Sequence, residues 1–338
     1  MNKEKYYPSA KELKKAEKMM TGAEAKATEN REKERESKFV EMLAERPVTL
    51  IDLFSKISIP ELKDKFLGKK IFACDFAVDE IDSGESVPGG YVSDDITNID
   101  HHAKTDRMAR KVSSGVLAIE YMKKGSVVSD KENVVVVNHT DCDSVISSAI
   151  MRGILPPDPR FGKAVVAADH TGEPNEIADL LQAIQEDRDL EFSLRNLEYL
   201  LDGKPLEPRA QELLKARLDD RERAKKIIES GQFKSEGDVY FVMLDKRIDG
   251  ELLPALMPEA SAILLASPMK EDPSKLEVKV RLGVKAPDGF YLNQQDLPNF
   301  GGRWNAGNTK RSGGTPLSVE EYAKVVNKKL EDFSIKNK

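Results

Sequence analysis

Cysteine is scarce in this chain: Cys74 and Cys142 are the only two in 338 residues. Two cysteines this far apart make neither a disulfide framework nor a zinc-finger pattern, and they fit a reducing cytoplasm. No apolar run approaches the ~20 residues of a membrane-crossing helix. The N-terminus has no apolar stretch of the kind a secretory signal needs, and it is too acidic for a transit peptide. Positive charge is not in excess: 53 Lys and Arg stand against 59 Asp and Glu, a net charge of −6. That balance excludes binding to long duplex nucleic acid by charge alone. No repeat of fixed period is present, which excludes a solenoid. Tryptophan occurs once, at Trp304, and histidine four times, at His101, His102, His139 and His170.

Apolar residues make up 39% and charged residues 33%, the composition of a globular chain with a highly charged surface. The length suggests roughly two domains. Residues 1–45 are rich in Lys, Glu and Ala and predict an exposed helical or disordered extension. Residues 47–68 read as one or two short amphipathic helices. From residue 70, apolar strand-like runs alternate with helical spacing: strands at 70–77, 91–99, 134–137 and 164–168, and helices at 113–123 and 144–153. Such alternation predicts an α/β fold with a parallel, doubly wound sheet. Residues 175–230 read as helices only, and strand-like runs return at 239–244, 261–266 and 275–283. The predicted parts are therefore a sheet domain over 46–185, a helical connector over 186–234 and a second, smaller α/β domain over 235–330.

The chemistry concentrates after the strand-like runs. Residues 134–148 read VVVVNHTDCDSVISS. Four valines end at a loop with His139, Asp141 and Asp143 at every second position, and Asp143 or Ser144 then caps a helix. The ends of parallel strands are where open α/β sheets place their ligands. An imidazole and two carboxylates suit a divalent metal, and the helix N-terminus suits an anion. Asp100-His101-His102 follows another strand, Asp75 ends the strand at 70–77, and Asp169 precedes His170. All four histidines thus sit in loops beside aspartates, whereas ordinary surface histidines would scatter.

Residues 299–316, NFGGRWNAGNTKRSGGTP, form the second concentration. Glycines there let a backbone approach a ligand closely, Arg303, Lys310 and Arg311 supply phosphate-matched cations, and Trp304 suits stacking on a base.

Taken together, these segments resemble the DHH superfamily of phosphoesterases. Asp100-His101-His102, the His139–Asp141–Asp143 motif and the glycine-rich 301–307 carry the resemblance, which covers roughly residues 70–330. It implies two divalent metal ions, manganese or alternatively magnesium, and a two-metal hydrolysis of a phosphoester. By resemblance the metal ligands are Asp75, Asp100, His102, His139, Asp141, Asp143 and Asp169, with Asp75 the bridging aspartate and Asp79 the next candidate. The catalytic group is Asp100, His101 and His102. Substrate contacts are Arg281, Gly301, Gly302, Arg303, Asn305, Gly307, Lys310 and Arg311. Two features depart from the family. The His-x-Asp-x-Asp motif follows DHH here instead of preceding it, which implies a rearranged strand order. Arg303 also stands where the C-terminal signature usually carries a histidine.

The implied activity is a manganese-dependent phosphoesterase in the cytoplasm. Its substrate would be a small nucleotide, a short oligonucleotide or a nucleotide phosphate, with no membrane partner and a homo-oligomer as one arrangement. The alternatives are an exopolyphosphatase-type hydrolase, a non-catalytic nucleotide- or metal-binding module, and an interaction protein built on residues 1–45.

Overall fold

Valine sets the course of the first sheet. Val135, Val136 and Val137 are fully buried in the strand Asn133–Val137, because β-branched side chains favour the extended backbone and pack on both faces of a covered sheet. The structure is a computed structural model that describes residues 34, 37–52, 57–102, 112–124 and 132–337. Strands β1 (Val48–Leu50), β2 (Lys70–Cys74), β3 (Glu85–Val87), β4 (Gly90–Ser93), β5 (Ile96–Ile99) and β6 (Asn133–Val137) form one six-stranded sheet in the order β1-β6-β2-β5-β4-β3. β1, β6, β2 and β5 are mutually parallel, and β4 and β3 continue the edge antiparallel. Cys74 pairs with Ile99 and Ala73 with Val136. The residues just beyond these pairs, Asp75, Asp100 and the 138–143 loop, therefore leave the sheet at one edge.

Both faces of this sheet are covered. Helix α1 (Ile59–Lys65) is closed by a capping box between Ser58 and Glu61, and its Leu62 packs with Ile71, Ala73, Ile96 and Val136 on one face. On the other face lie α2 (Ser114–Lys123), whose Tyr121 meets Phe72 edge-on, and α3 (Cys142–Met151). Every residue of α3 is buried. Its serines are tolerated there because their hydroxyls bond back to helix carbonyls, Ser148 Oγ to Ser144 O at 2.6 Å. The cap of α3 is Asp141, whose carboxylate accepts from Ser144 N. The helix thus starts earlier than a cap at Asp143 or Ser144 would place it.

Two expected elements are different. Residues 164–168 are not a strand. Helix α4 (Pro159–Val166) is followed by a π-turn over Ala167–Thr171. Phe161, Ala164, Val165 and Ala168 are buried at helical spacing, Pro159 occupies the first turn and Asp158 caps it. A short apolar run cannot be told from a buried helix segment by hydrophobicity alone. Likewise, the start of 47–68 is strand β1, paired with β6. Only Ile59–Lys65 of that stretch is helical, and residues 53–56 lie outside the described residues.

Helices α5 (Glu176–Ile184), α6 (Leu190–Asp202) and α7 (Pro208–Glu229) lead to a second sheet. Its strands are β7 (Lys234–Glu236), β8 (Val239–Met243), β9 (Ala262–Pro268), β10 (Leu276–Leu282), β11 (Gly301–Gly302) and β12 (Ala306–Asn308), in the order β11-β12-β10-β9-β8-β7. Only β8 and β9 are parallel neighbours. Helix α8 (Val319–Lys336) buries Tyr322, Ala323, Val326 and Leu330 against one face. Ala224 of α7 and Leu253 and Met257 pack with Val242, Ile263 and Leu265 on the other.

Residues 48–338 form one compact unit and residues 1–47 another. In the latter, residues 37–45 are helical and Lys38 pairs with Glu34 at 2.8 Å. Most of the expected extension, residues 1–33 with 35 and 36, lies outside the described residues. Among the described residues no helix is long and apolar enough to cross a membrane.

Candidate metal centre

Asp75 is the hub of the strand-end cluster. It follows β2 with φ +60°, a conformation that aspartate tolerates better than bulkier residues. Its carboxylate accepts from Ser114 Oγ at 2.9 Å and from Ser144 Oγ at 2.7 Å, so α2 and α3 both fix its orientation. His139 Nε2 lies 3.1 Å from Asp75 Oδ2 and 3.2 Å from Asp141 Oδ2. His102 Nδ1 lies 3.8 Å and His101 Nε2 3.9 Å from Asp75 Oδ1. His101 Nε2 is also 3.1 Å from Asp169 Oδ2 and 3.5 Å from Asp143 Oδ2.

Three sets of donor atoms lie within 4.8 Å of one another: Asp75, His101 and His102; His101, Asp169 and His170; and Asp75, His139 and Asp141. Of the residues expected as ligands, the fold thus brings Asp75, His102, His139, Asp141 and Asp169 together, with His101 between them. Asp100 and Asp143 belong to none of the three sets. Asp100 turns back onto its own motif, accepting from His102 Nδ1 at 2.6 Å and from His102 N at 3.0 Å. Asp143 accepts from Ser114 N at 2.7 Å and Gly115 N at 2.6 Å, where the start of α2 favours negative charge. Asp79 is exposed at the end of a short strand.

The second sheet faces this cluster through Arg303. Its Nη1 donates to His102 Nε2 at 2.9 Å, and its Nη2 lies 3.7 Å from Asp169 Oδ1. Beside it opens a cavity of about 420 Å³ lined by Lys279, Arg281, Arg303, Arg311, Asp249 and Glu251, with Gly302, Gly307 and Asn308 in its wall. Among the expected substrate contacts, Arg281, Gly302, Arg303, Gly307 and Arg311 line the cavity, whereas Gly301, Asn305 and Lys310 do not. Gly302 and Gly307 are required by the β11–β12 hairpin itself. A Cβ on Gly302 would meet Gly307 Cα at 2.4 Å, and one on Gly307 would meet the Phe300 ring at 2.4 Å. Trp304 is not available to stack on a base. It is 3% exposed, sits in the core of the second sheet and meets Tyr291 edge-on.

Burial and crowding set the charges. Burial would lower His139, but Asp141 and Asp75 overrule it and raise its imidazole to about 11. Asp141 is correspondingly held down, against burial, by His139. Burial raises Asp143, and Asp75, Asp169 and Asp141 push it further. Burial opposes ionisation of Asp169 too, yet Arg303 and His101 hold it well below the carboxylate range. Burial alone would lower His102, while Asp100 raises it. Both cysteine thiols are pushed up by burial and by neighbouring carboxylates, and neither belongs to the three donor sets.

The cluster fits a divalent cation. His101 Nδ1 and Nε2 and Asp169 Oδ2 are buried without a hydrogen-bond partner among the described residues, and buried polar atoms are normally satisfied. Clustered carboxylates in a buried site need compensating positive charge. Imidazole nitrogens with carboxylate oxygens suit manganese or zinc.

Several residues at the site were not expected from sequence. Ser114 and Ser144, which orient Asp75, have ordinary cap-region identities that signal only a helix start. His170 was visible beside Asp169, but its Nε2 donates to Val112 O at 2.8 Å and its Nδ1 faces Asn305 at 3.1 Å. Glu251, whose Oε2 accepts from Gln182 Nε2 at 2.9 Å, has no motif around it.

Neither a protein-family model nor a curated protein matches the sequence. Among solved structures, the chain is similar to PggH, a pGpG-specific phosphodiesterase from Vibrio cholerae, at 10% identity and a TM-score of 0.38, covering 70% of this chain and 79% of that one. It is similar to an exopolyphosphatase-related protein from Bacteroides fragilis at 14% identity and a TM-score of 0.35, covering 81% and 75%. RecJ from Thermus thermophilus, in complex with Mg²⁺, matches at 13% identity and a TM-score of 0.31, over 66% of this chain and 34% of RecJ. This chain thus spans about a third of RecJ's length. The side chains of the site, not these likenesses, carry the functional reading.

Proposed function

We propose that the protein is a divalent-metal-dependent phosphohydrolase of the DHH superfamily, acting on a small phosphorylated substrate held between the strand-end cluster and the cationic cavity. The observation that carries this reading is Asp75, which reaches His101 and His102 of one loop and His139 of another while two helix serines fix its carboxylate. Asp75, His101, His102, His139, Asp141 and Asp169 would hold two ions, with Asp75 shared between them. Manganese is the proposed metal and magnesium the alternative. Residues 46–185 would be the catalytic part, 186–234 the connector and 235–330 the substrate-binding part. The two buried free cysteines suit a cytoplasmic location.

Bound divalent ions would make a water more acidic and offset charge developing on the phosphoryl oxygens. The protein's own groups do the positioning. Asp100 accepts a hydrogen bond from His102 Nδ1, which turns Nε2 toward Arg303. Arg303 keeps its charge at any working pH, so it can stabilise a phosphoryl oxygen but cannot give up a proton to a leaving group. Lys279 and Arg311 would hold a further anionic part of the substrate in the cavity.

A second reading, a short-chain polyphosphatase, is favoured by one feature. No aromatic side chain lines the cavity among the described residues, so base stacking contributes nothing there.

The test is release of phosphate or nucleoside monophosphate with Mn²⁺ from a panel. The panel holds a dinucleotide, a short oligonucleotide, a cyclic dinucleotide, a nucleoside 3′,5′-bisphosphate and short polyphosphate. Turnover of one member, lost in Asp141→Ala, is expected. Equal turnover in that variant would refute the metal assignment. Mn²⁺ binding without any turnover would instead make the protein a binding module.

A further inference from the structure

Loop 169–172 supplies Asp169 to the cluster, yet it is held mainly from outside the first sheet. It is a π-turn, closed by Gly172 N donating to Ala167 O at 2.8 Å. Single π-turns recur at functional sites because the wide turn re-aims side chains, and the carbonyls near a helix end look for donors elsewhere. Here those donors are side chains. Arg281 Nη2 donates to Asp169 O at 2.5 Å. Asn305 Nδ2 lies 3.4 Å from the same oxygen and 3.1 Å from His170 Nδ1. Arg221 Nη1, from α7, donates to Gly172 O at 2.7 Å, while its Nη2 is bound to Asp179 at 2.6 Å. Gly172 itself sits at φ +68° against the main chain of the second lobe, where a Cβ would come within 2.2 Å of Glu251 O.

These contacts occupy two residues that sequence assigned to substrate. Asn305 is 5% exposed and outside the cavity wall, and Arg281 is 9% exposed with its guanidinium on the Asp169 carbonyl. Arg281 still borders the cavity, but one of its guanidinium nitrogens is engaged by the loop carbonyl.

We propose that Arg281 and Asn305 are positioning residues of the metal centre: they hold loop 169–172 so that Asp169 points at His101, and the second sheet thereby completes the metal site instead of only gripping substrate. The inference rests on the metal-dependent reading above. Arg281 fixes the carbonyl and so the direction of the Asp169 side chain. Asn305 donates to His170 Nδ1, which leaves His170 Nε2–H for Val112 O and locks one tautomer. Residues that orient ligands in this way typically affect metal affinity by about 10–100-fold when removed.

The experiment titrates Mn²⁺ alone into the full chain by calorimetry, then measures KM and kcat at saturating Mn²⁺. The variants are Asn305→Ala, Arg281→Met, Arg281→Lys and Arg311→Ala. Asn305→Ala and Arg281→Met should weaken Mn²⁺ binding about 10–100-fold, and Asn305→Ala, outside the cavity wall, should leave KM for the phosphorylated substrate unchanged once Mn²⁺ saturates. Arg281→Lys, which keeps one donor for the carbonyl, should recover part of the affinity. Arg311→Ala should do the reverse, raising KM and leaving Mn²⁺ affinity alone. Asn305→Ser supplies a smaller perturbation if Asn305→Ala fails to fold, and melting of the metal-free proteins separates lost folding from lost affinity. Wild-type affinity for Mn²⁺ in both Asn305→Ala and Arg281→Met would overturn the positioning role. No Mn²⁺ binding by the wild type would bring down the proposed function and this inference together.

Discussion

Replacing Glu251 by glutamine should stabilise the protein, and more so in alkaline than in acidic solution. Burial, then the neighbouring Asp249, push the Glu251 carboxyl from its ordinary 4.5 up to about 7, against the pull of Arg281, Arg217 and Arg303. Arg281 is itself shifted toward its neutral form, by burial first. Both partners therefore pay more for desolvation than their 3.8 Å contact returns. Below about pH 4.5 the carboxyl is protonated in folded and unfolded chains alike, and no penalty exists. As pH rises to about 7 the unfolded chain ionises freely and the folded one does not, so stability is lost across that window. The full displacement corresponds to about 3 kcal/mol, of which about 2 kcal/mol falls between pH 5.5 and 8.5. A quarter of the side chain is exposed, and screening reduces the difference to about 1 kcal/mol. Glutamine keeps an acceptor for Gln182 Nε2, so shape and the 2.9 Å hydrogen bond survive. Urea denaturation of the metal-free wild type and Glu251→Gln at the two pH values reads the difference. An equal change at both would show that Glu251 does not titrate in this window. A larger loss at pH 8.5 would show that its ion pair with Arg281 outweighs burial.

Two further outcomes follow from the same geometry. His139, raised to about 11 by Asp141 and Asp75 against burial, is protonated in the metal-free protein at neutral pH. Mn²⁺ binding should therefore release a proton and weaken about tenfold for each unit the pH falls; calorimetry in buffers of different ionisation enthalpy checks this, and pH-independent binding would remove His139 from the ligand set. Gly302→Ala forces a Cβ to within 2.4 Å of Gly307 Cα and 2.5 Å of Ala306 O, which should cost about 1–3 kcal/mol, read as a lowered melting temperature with loss of Arg303-dependent activity; an unchanged melt would mean that the hairpin opens freely.

Much of the site was legible because each part had a local signature. A valine run followed by His139-Thr-Asp141 declares a strand end and a helix start close behind it, and Asp75 and the DHH triplet follow equally plain strands. What stayed hidden was long-range. Nothing near Ser114 or Ser144 in sequence says that both hydroxyls will meet on Asp75, and nothing near Asn305 says that its amide will face His170, 135 positions away. The strand expected at 164–168 failed for a local reason: Ala, Val and Val pack equally well in a buried helix, and Pro159 with its Asp158 cap was the stronger signal. Trp304 was misassigned because an isolated aromatic beside arginines reads the same whether it faces a ligand or a core.

The parallel strands β6, β2 and β5 lie side by side, and each delivers its acidic residues at the same edge. In that neighbourhood the order in which the ribosome threads the strands leaves no trace. The 138–143 loop comes last in the chain but adjoins Asp75, which comes first, with only the strand-to-strand spacing between their backbones. A side-chain constellation of this kind is a property of adjacency, so a differently threaded chain can reproduce it. Linear spacing then becomes a poor guide to kinship, and the meaningful pattern is which side chains share an edge.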